Sequence, residues 1–271
     1  MTAGRGPSIC LFGLGEAGSL LAADLWRAGA TVSAYDPAEV GTPEGVVRHV
    51  HPALAVRHAD LVLGLTAGSE AKLALLQALE AIGGGAVYAD LSTASPQVKS
   101  ELAGLAARQE LEFVDVALMA AVPGNGLATP ALAAGEAAAR LAGALNPLGA
   151  RIEPVDGPPG AAAGKKLLRS VMTKGTAAVL IEAVRAGAAA DDLAWLWSNM
   201  ARELDGADEW WMRHQVTGSK AHARRRRDEM TAAVEMLEGL GVAPTMTRST
   251  VASLDELVAG ALPDLPPPRR S

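Results

Sequence analysis

Several residue types are scarce in this chain of 271 residues, and each scarcity excludes a class of protein. Cys10 is the only cysteine, which excludes an internal disulfide and a cysteine-based metal cluster and favours a reducing compartment. Aromatic residues make up 3% of the chain, so aliphatic side chains and alanine must fill the core. No run of eighteen uncharged apolar residues occurs, and Glu16 and Asp24 interrupt the first apolar stretch. We therefore expect a cytoplasmic protein without a spanning helix or a secretory signal.

The remaining composition is that of a folded globular protein. Hydrophobic residues account for 49% and charged residues for 20%, which excludes disorder as a description of the whole chain. The formal net charge of -6 argues against nucleic acid or an anionic membrane as the main partner. His49 and His51 lie two residues apart with no third ligand nearby in sequence, so we predict no metal site.

In the first half of the chain, short apolar segments alternate with segments of helical spacing. The predicted strands are 8–13, 31–35, 61–65, 86–91 and 112–118, and the predicted helices are 16–28, 52–59, 70–82 and 95–109. Strands that alternate with helices in this way predict βαβ units and a doubly wound parallel sheet, which is an α/β architecture.

The pattern changes at Asp156–Gly160 (DGPPG), beyond which the sequence predicts only helices. They cover 161–190, 191–205, 219–240 and a short segment at 253–261. We therefore predict an α/β domain over residues 1–157 and an all-helical C-terminal domain over 158–262. Residues 263–271 (PDLPPPRRS) are rich in proline and predict a disordered tail.

A glycine motif follows the first predicted strand and opens the first helix. It consists of Gly13, Leu14, Gly15, Glu16, Ala17 and Gly18. In such a motif the first glycine permits a tight turn, the second lets the backbone approach a pyrophosphate, and the third lets the helix pack on the strand. The motif alone could be a glycine-rich turn. The preceding strand, the following helix and Asp36 at the end of the second strand favour a Rossmann dinucleotide-binding domain.

Asp36 also bears on the choice of cofactor. A carboxylate at this position accepts hydrogen bonds from both ribose hydroxyls of NAD and repels the 2′-phosphate of NADP. Pro37, Ala38 and Glu39 supply no cation for that phosphate, and Arg48 lies too far along the chain to be assigned to it. We predict NAD as the cofactor, with NADP left possible.

Lysine is scarce as well, with six among 24 cationic residues, and three of the six fall within Lys165–Lys174. A desolvated lysine exchanges protons near neutral pH, which arginine does not. The surrounding segment is apolar nearly all round, as in a buried helix, and Lys166, Ser170, Lys174 and Glu182 form one polar stripe along it. The stripe predicts a functional site with Lys166 and Lys174 as candidate catalytic residues. The alternative is that these lysines reach solvent or form a structural pair with Glu182.

Four segments together resemble the β-hydroxyacid dehydrogenase family, which includes 3-hydroxyisobutyrate and 6-phosphogluconate dehydrogenases. They are GLGEAG (Gly13–Gly18), YADLSTASP (Tyr88–Pro96), FVDVALMAAVPG (Phe113–Gly124) and GAAAGKKLLRSVMTKG (Gly160–Gly175). The last, together with HARRRRDEM (His222–Met230), is most similar to a subgroup whose C-terminal helical domain is poorly characterised.

The resemblance implies an N-terminal Rossmann domain, a helical C-terminal domain that supports a homodimer, and an active site in the cleft between them. It places the family's catalytic lysine at Lys166. Ser92 and Thr93 are then expected to line the nicotinamide side of the cleft, and Thr66 and Ala67 the ribose side.

Two departures from the family's pattern concern the substrate. Many members carry two asparagines at the third and fourth positions after the lysine, where this chain has Arg169 and Ser170. The family's Ser-Gly-Gly substrate loop corresponds to Met119, Ala120 and Ala121, which lack its hydroxyl. We therefore expect the contacts with substrate to differ from those of the usual short hydroxy acids.

Two further features lie in the predicted helical domain. His222 and Arg226 are in line with apolar residues of the 219–240 helix, and an arginine there could hold a substrate carboxylate, although a solvated face would carry the same residues. Four of the five tryptophans fall between Trp195 and Trp211, where they could form a helix or subunit interface or line a hydrophobic substrate cavity.

These features together predict an NAD(P)-dependent oxidoreductase. It would transfer hydride between nicotinamide and a small, anionic 3-hydroxy acid or a related alcohol or carbonyl, with Lys166 as general acid/base. Imine reduction on the same fold is the alternative enzymatic activity. A dinucleotide-binding sensor or assembly protein without catalysis is the alternative from another class, motivated by the missing loop serine and asparagines.

Overall fold

The computed structural model describes residues 6–260 and 262–268. The end of the predicted proline-rich tail, 269–271, lies outside the described residues, as do 1–5 and 261. The chain divides into two compact units after Arg169. The domain limits inferred from the sequence stay a prediction.

One mostly parallel sheet forms the centre of the first unit. Within the described residues its eight strands lie in the order β3-β2-β1-β4-β5-β6-β7-β8. They are β1 (Ser8–Phe12), β2 (Thr31–Tyr35), β3 (Val47–His49), β4 (Leu61–Gly64), β5 (Val87–Asp90), β6 (Glu112–Leu118), β7 (Pro130–Ala134) and β8 (Arg151–Pro154). The helices between them are α1 (Glu16–Arg27), α2 (Pro52–Val56), α3 (Ala71–Leu79), α4 (Pro96–Ala107) and α5 (Ala138–Leu145).

This order confirms the predicted doubly wound sheet, since the strand order reverses at β1. Strands β1 to β6 run parallel and β7 is antiparallel to β6, so the sheet is mostly parallel. The chain returns from β6 to β7 through a loop whose only helical turn is Gly126–Ala128, and a parallel neighbour would need a longer crossover. Among the described strands and α-helices of the first unit, β3, β7, β8 and α5 were not predicted from the sequence.

The core lies on both faces of this sheet. Successive side chains of β1 point to opposite faces, so Ile9 and Leu11 pack in one apolar cluster while Cys10 and Phe12 pack in the other. Cys10 is fully buried, and burial raises the pKa of its thiol to about 12. The thiol is therefore a core group.

The second unit is helical. Helix α6 (Ala161–Ala189) begins in the first unit and continues into the second, where it is followed by α7 (Leu193–Asp205), α8 (Glu209–Ala221), α9 (Ala223–Gly239) and α10 (Thr245–Ala259). The helix predicted over 219–240 is wrong, because the backbone leaves helical geometry at His222 (φ -122°, ψ 25°). Within the described residues, no helix is long and apolar enough to cross a membrane.

Helix α6 does not fulfil the expectation that its apolar surface is buried within the chain. Leu168, Val171 and Met172 are 74%, 75% and 60% exposed. Three tryptophans of the second unit are equally open, with Trp195 and Trp197 at 63% and Trp210 at 71%. Apolar surface is therefore exposed on α6, α7 and α8.

Glu182 has a structural role in the second unit, which removes it from the predicted polar stripe. Its carboxylate accepts hydrogen bonds from the backbone N–H groups of Met246 (2.7 Å) and Thr247 (2.8 Å) and from the Thr247 hydroxyl (2.6 Å). The side chain thus satisfies the first amides of α10. Burial alone would raise the pKa of Glu182, but these hydrogen bonds outweigh it and hold the pKa below its ordinary value.

We expect Glu182→Gln to lower the thermal stability of the protein at neutral pH, with a cost of about 1 kcal/mol for a weakened helix cap. Because the folded state lowers this pKa, the ionised carboxylate stabilises the fold above its ordinary pKa, and that contribution disappears as pH falls through the folded value. The difference in Tm between variant and parent should therefore shrink in acid. A difference in Tm that is the same at pH 7 and pH 3 would contradict this role.

Candidate active site

The predicted cofactor residues and the first residue of the predicted substrate loop lie where parallel strands end. The glycine motif follows β1, Asp36 follows β2, Thr66 follows β4, Ser92 follows β5 and Met119 follows β6. These five strands run parallel, so their carboxyl ends share one edge of the sheet. Ligands of open α/β sheets bind at this edge, next to the strand where the order reverses.

The glycines of the motif meet three different physical demands. Gly13 has φ +102°, and a Cβ there would lie 2.6 Å from the carbonyl oxygen of Leu65. A Cβ on Gly18 would lie 2.0 Å from the carbonyl oxygen of Gly13, so α1 packs directly on the turn. A Cβ on Gly15 would meet no atom within 4 Å. Gly15 is thus open toward the N-terminus of α1, where a pyrophosphate fits.

Asp36 and the glycine loop are joined by a hydrogen bond. One carboxylate oxygen accepts from the backbone N–H of Leu14 at 2.7 Å, and the other accepts from that of Ala38 at 2.8 Å. Each oxygen retains a second lone pair for a ribose hydroxyl. The guanidinium of Arg48, which the sequence could not assign, lies beside this loop and donates to the carbonyls of Asp36 and Val40, both at 3.0 Å.

The loops after β4 and β5 touch each other. A Cβ on Gly68 would lie 2.5 Å from the carbonyl oxygen of Thr93, so the segment that carries Thr66 and Ala67 abuts the segment that carries Ser92. Ser92 is 5% exposed and its hydroxyl donates to Asp90 at 2.8 Å. The hydroxyl of Ser92 therefore faces inward, and that of Thr93 is the one beside Lys166.

Lys166 lies near the start of α6. Its Nζ is 3.5 Å from the hydroxyl oxygen of Thr93. Burial lowers the pKa of Lys166, the Lys99 ammonium lowers it further, and the Asp115 carboxylate opposes both. From the sequence we expect the apolar helix around Lys166, and then the neighbouring Lys165, to lower this pKa; burial does lower it, but the cation that adds to the effect is Lys99.

Arg169 connects α6 to the predicted substrate loop. Its guanidinium donates to the backbone carbonyl of Met119, the first residue of the Met119–Ala121 segment. The amide of Asn125 donates to the carbonyl of Ala121 at 2.9 Å, at the other end of the segment. Arg169 stands where the resemblance places an asparagine, and Met119 where it places the loop serine. The Met119–Ala121 loop is therefore held through its backbone carbonyls.

Four of the predicted site residues lie in the second unit. Lys174 is exposed on α6, and Ser170 is the first residue of the unit. His222 is exposed at the break between α8 and α9, and Arg226 donates to the Ser219 hydroxyl across that break at 2.6 Å. The roles given to these residues in substrate binding stay predictions.

Lys99, Asp90 and Asp115 were not predicted as site residues, but they are buried side by side, and Lys99 and Asp115 both act on the pKa of Lys166. The sequence does contain a pattern that indicates a buried lysine, because Lys99 lies on the same face of α4 as the buried Leu102 and Ala106. A lysine in an apolar stripe is buried only where it has a partner.

The chain matches the family model described as the NAD binding domain of 6-phosphogluconate dehydrogenase over residues 8–155. The chain belongs to this family. Its N-terminal domain is an NAD-binding domain, and the protein is an NAD(P)-dependent oxidoreductase with a hydroxyacid dehydrogenase-like fold. Residues 188–257 of this family member match a second family model, described as a domain of unknown function.

Solved structures of similar proteins agree with this assignment. A conserved hypothetical protein from Sinorhizobium meliloti 1021 is 30% identical, with a TM-score of 0.62 over 93% of this chain and 88% of that one. The conserved protein MTH1747, described as similar to 3-hydroxyacid dehydrogenases, is 26% identical, with a TM-score of 0.59 over 93% and 97%. An imine reductase from Myxococcus stipitatus, solved with NADP+, is 16% identical with a TM-score of 0.81 over 93% and 94%, which shows the fold. A search of curated proteins returned no match.

We expect Gly15→Val to abolish NADH binding while the protein stays folded. The added side chain points into open space where the pyrophosphate fits, and the backbone at Gly15 needs no positive φ. NADH fluorescence on titration measures binding, and Tm measures folding. The matched control is Gly18→Val, which should lower Tm strongly because its Cβ overlaps the Gly13 carbonyl. Unchanged NADH affinity in Gly15→Val would contradict the position assigned to the cofactor.

Proposed function

We propose that the protein is a cytoplasmic dehydrogenase that transfers hydride between NAD and a small 3-hydroxy acid or a related alcohol or carbonyl, with Lys166 as the general acid/base. The observation that carries this proposal is the pair formed by Lys166 Nζ and the Thr93 hydroxyl at the carboxyl edge of the sheet. A proton carrier and an orienting hydroxyl next to a dinucleotide loop are the groups that alcohol–carbonyl interconversion requires.

The predicted cofactor residues are suited to bind a nicotinamide dinucleotide. The glycine loop and Asp36 would hold the pyrophosphate and the adenosine ribose, Thr93 would border the nicotinamide side, and Thr66 and Ala67 the ribose side. The bound nicotinamide supplies or accepts the hydride. In oxidation, neutral Lys166 Nζ takes the substrate hydroxyl proton; in reduction, the ammonium returns it to the carbonyl oxygen. Thr93 orients that oxygen through its hydroxyl.

The lowered pKa of Lys166 favours proton exchange with the substrate. Burial and the Lys99 cation lower its pKa, so a larger fraction of the amine is neutral near pH 7 than for an exposed lysine. Oxidation should therefore rise with pH through the pKa of Lys166, and carbonyl reduction should fall through it.

An anionic substrate is supported by the cations around Lys166. Lys165 and Arg169 lie on the same helix, and the guanidinium of Arg169 is fixed on the carbonyl of Met119. In this proposal, His222 or Arg226 holds the substrate carboxylate.

We further propose that the second unit forms a homodimer through its apolar face. Leu180, Ile181, Val184, Trp197, Met200 and Leu204 line a groove of about 420 Å³ between α6 and α7. Trp195 and Trp197 stand exposed on α7, and aromatic residues are enriched in the buried centres of subunit interfaces. A second copy of the chain would cover this face.

Lys166→Met should lower kcat by roughly 10²–10⁴, the usual contribution of one acid/base group, with NADH affinity nearly unchanged. Lys174→Met is the matched control on the same helix and should cost far less, because Lys174 is exposed and two turns away. The assay is turnover with a panel of hydroxy acids, keto acids and imines. The reverse ranking would transfer the catalytic role to Lys174. Tight NADH binding without turnover on the whole panel would instead favour a sensor.

Ile181→Asp should convert a dimer into a monomer, because it places a charge in the apolar groove. Molar mass from light scattering after gel filtration measures the change. Val50→Asp is the control, since Val50 is 83% exposed in the first unit and should leave the mass unaltered. A dimeric Ile181→Asp variant or a monomeric parent would show that this face is not the interface.

A further inference from the structure

A lysine outside every sequence motif is buried next to the Lys166 site. Lys99 on α4 and Asp90 at the end of β5 are each 1% exposed, and Asp115 in β6 is 0% exposed. The Lys99 Nζ lies 2.8 Å from Asp90 Oδ2 and 3.4 Å from Asp115 Oδ1, and it also donates to the backbone carbonyl of Asp90 at 2.7 Å. Burying three charges costs desolvation energy that their attraction hardly repays, so stability alone does not account for the cluster.

Asp90 holds the loop that carries Thr93. Its carboxylate accepts the Ser92 hydroxyl at 2.8 Å and the Ser92 backbone N–H at 3.3 Å. The backbone is thereby fixed one residue before Thr93, whose hydroxyl oxygen lies 3.5 Å from Lys166 Nζ.

Asp115 holds the start of α6. One carboxylate oxygen, Oδ2, accepts the backbone N–H groups of Gly160 at 3.0 Å and Ala163 at 2.9 Å. The first amides of a helix lack partners within the helix, and a carboxylate there is also favoured by the helix dipole. Lys166 follows Ala163 by less than one helical turn, so Asp115 fixes the backbone from which the Lys166 side chain extends.

We propose that Lys99 is a positioning residue for Lys166, because its buried ammonium joins the carboxylate that holds the Thr93 loop to the carboxylate that holds the first turn of α6. The inference rests on the proposed role of Lys166 for its functional meaning. It assigns two effects to Lys99, a geometric one through the two aspartates and an electrostatic one on the Lys166 amine.

The charges that act on Lys166 come from several elements. Lys99 on α4 disfavours its ammonium, Asp115 on β6 favours it, and Asp90 on β5 pairs with Lys99. Lys165 and Arg169 lie on its own helix. Because Lys99 and Asp115 act in opposite senses, removing one or the other should move the titration of Lys166 in opposite directions.

The test is the labelling of Lys166 by acetic anhydride over a series of pH values, measured by mass spectrometry on the full chain. Only the neutral amine reacts, so the midpoint of labelling reports the titration of Lys166. Lys99→Met should shift the midpoint upward, and Asp115→Asn should shift it downward. Asparagine retains an oxygen that can accept from the α6 amides, so the second variant is expected to fold even if the first does not.

A merely structural role gives a different result. If the variants only loosened α6, water would reach Lys166 in both, and both midpoints would shift upward. Lys165, which is exposed on the same helix, is the internal reference and should not shift in either variant. An upward or absent shift in Asp115→Asn overturns the proposal.

This experiment is independent of the proposed function. The labelling needs neither substrate nor turnover, so loss of the predicted kcat effect in Lys166→Met would refute the catalytic role and leave the coupling of Lys99 to Lys166 intact. Opposite shifts of the labelling midpoint in Lys99→Met and Asp115→Asn, together with a large fall in kcat in Lys166→Met, would support both the positioning role of Lys99 and the catalytic role of Lys166.

Discussion

The pairing of the Lys99 ammonium with Asp90 and Asp115 is the constraint on which the site depends. Two carboxylates paired on neighbouring strands would repel each other in a medium of low dielectric constant, and the cation between them removes that repulsion. Removing one partner of a buried pair costs about 3–5 kcal/mol, because the remaining charge has no water to solvate it. The loop after β5 and the first turn of α6 are therefore held in one arrangement.

The cofactor end of the same edge is organised by backbone groups instead of buried charge. The Leu14 amide donates to Asp36, so the glycine loop and the end of β2 are joined before any ligand arrives. Arg48 fixes the carbonyls of the following loop, which leaves its guanidinium engaged in the structure. A preorganised loop loses little conformational entropy when it binds a dinucleotide.

The parts of this protein that follow local rules were predictable from its sequence. A strand, the glycine loop, a helix and Asp36 lie within thirty residues of one another, and parallel strands place their carboxyl ends at one edge. The Lys99 cluster was not predictable in the same way, because Lys99, Asp90 and Asp115 meet only through the register of β5 and β6 and the packing of α4. The break at His222 also escaped prediction, since the polar and apolar spacing continues through it.

The charge on Lys166 bears differently on the reduction of a carbonyl and on the reduction of an imine. A carbonyl oxygen is uncharged and needs a proton from the protein as hydride arrives, which the Lys166 ammonium can donate. An iminium ion already carries its proton and a positive charge, so the Lys166 ammonium would repel it and would have no proton to give it, whereas Lys99 is paired with Asp90 and Asp115 and adds no such repulsion. Like charges at this range disfavour such a substrate, particularly where burial reduces screening. The proton that Lys166 can donate therefore supports our proposal of a hydroxy or keto acid as substrate over an imine.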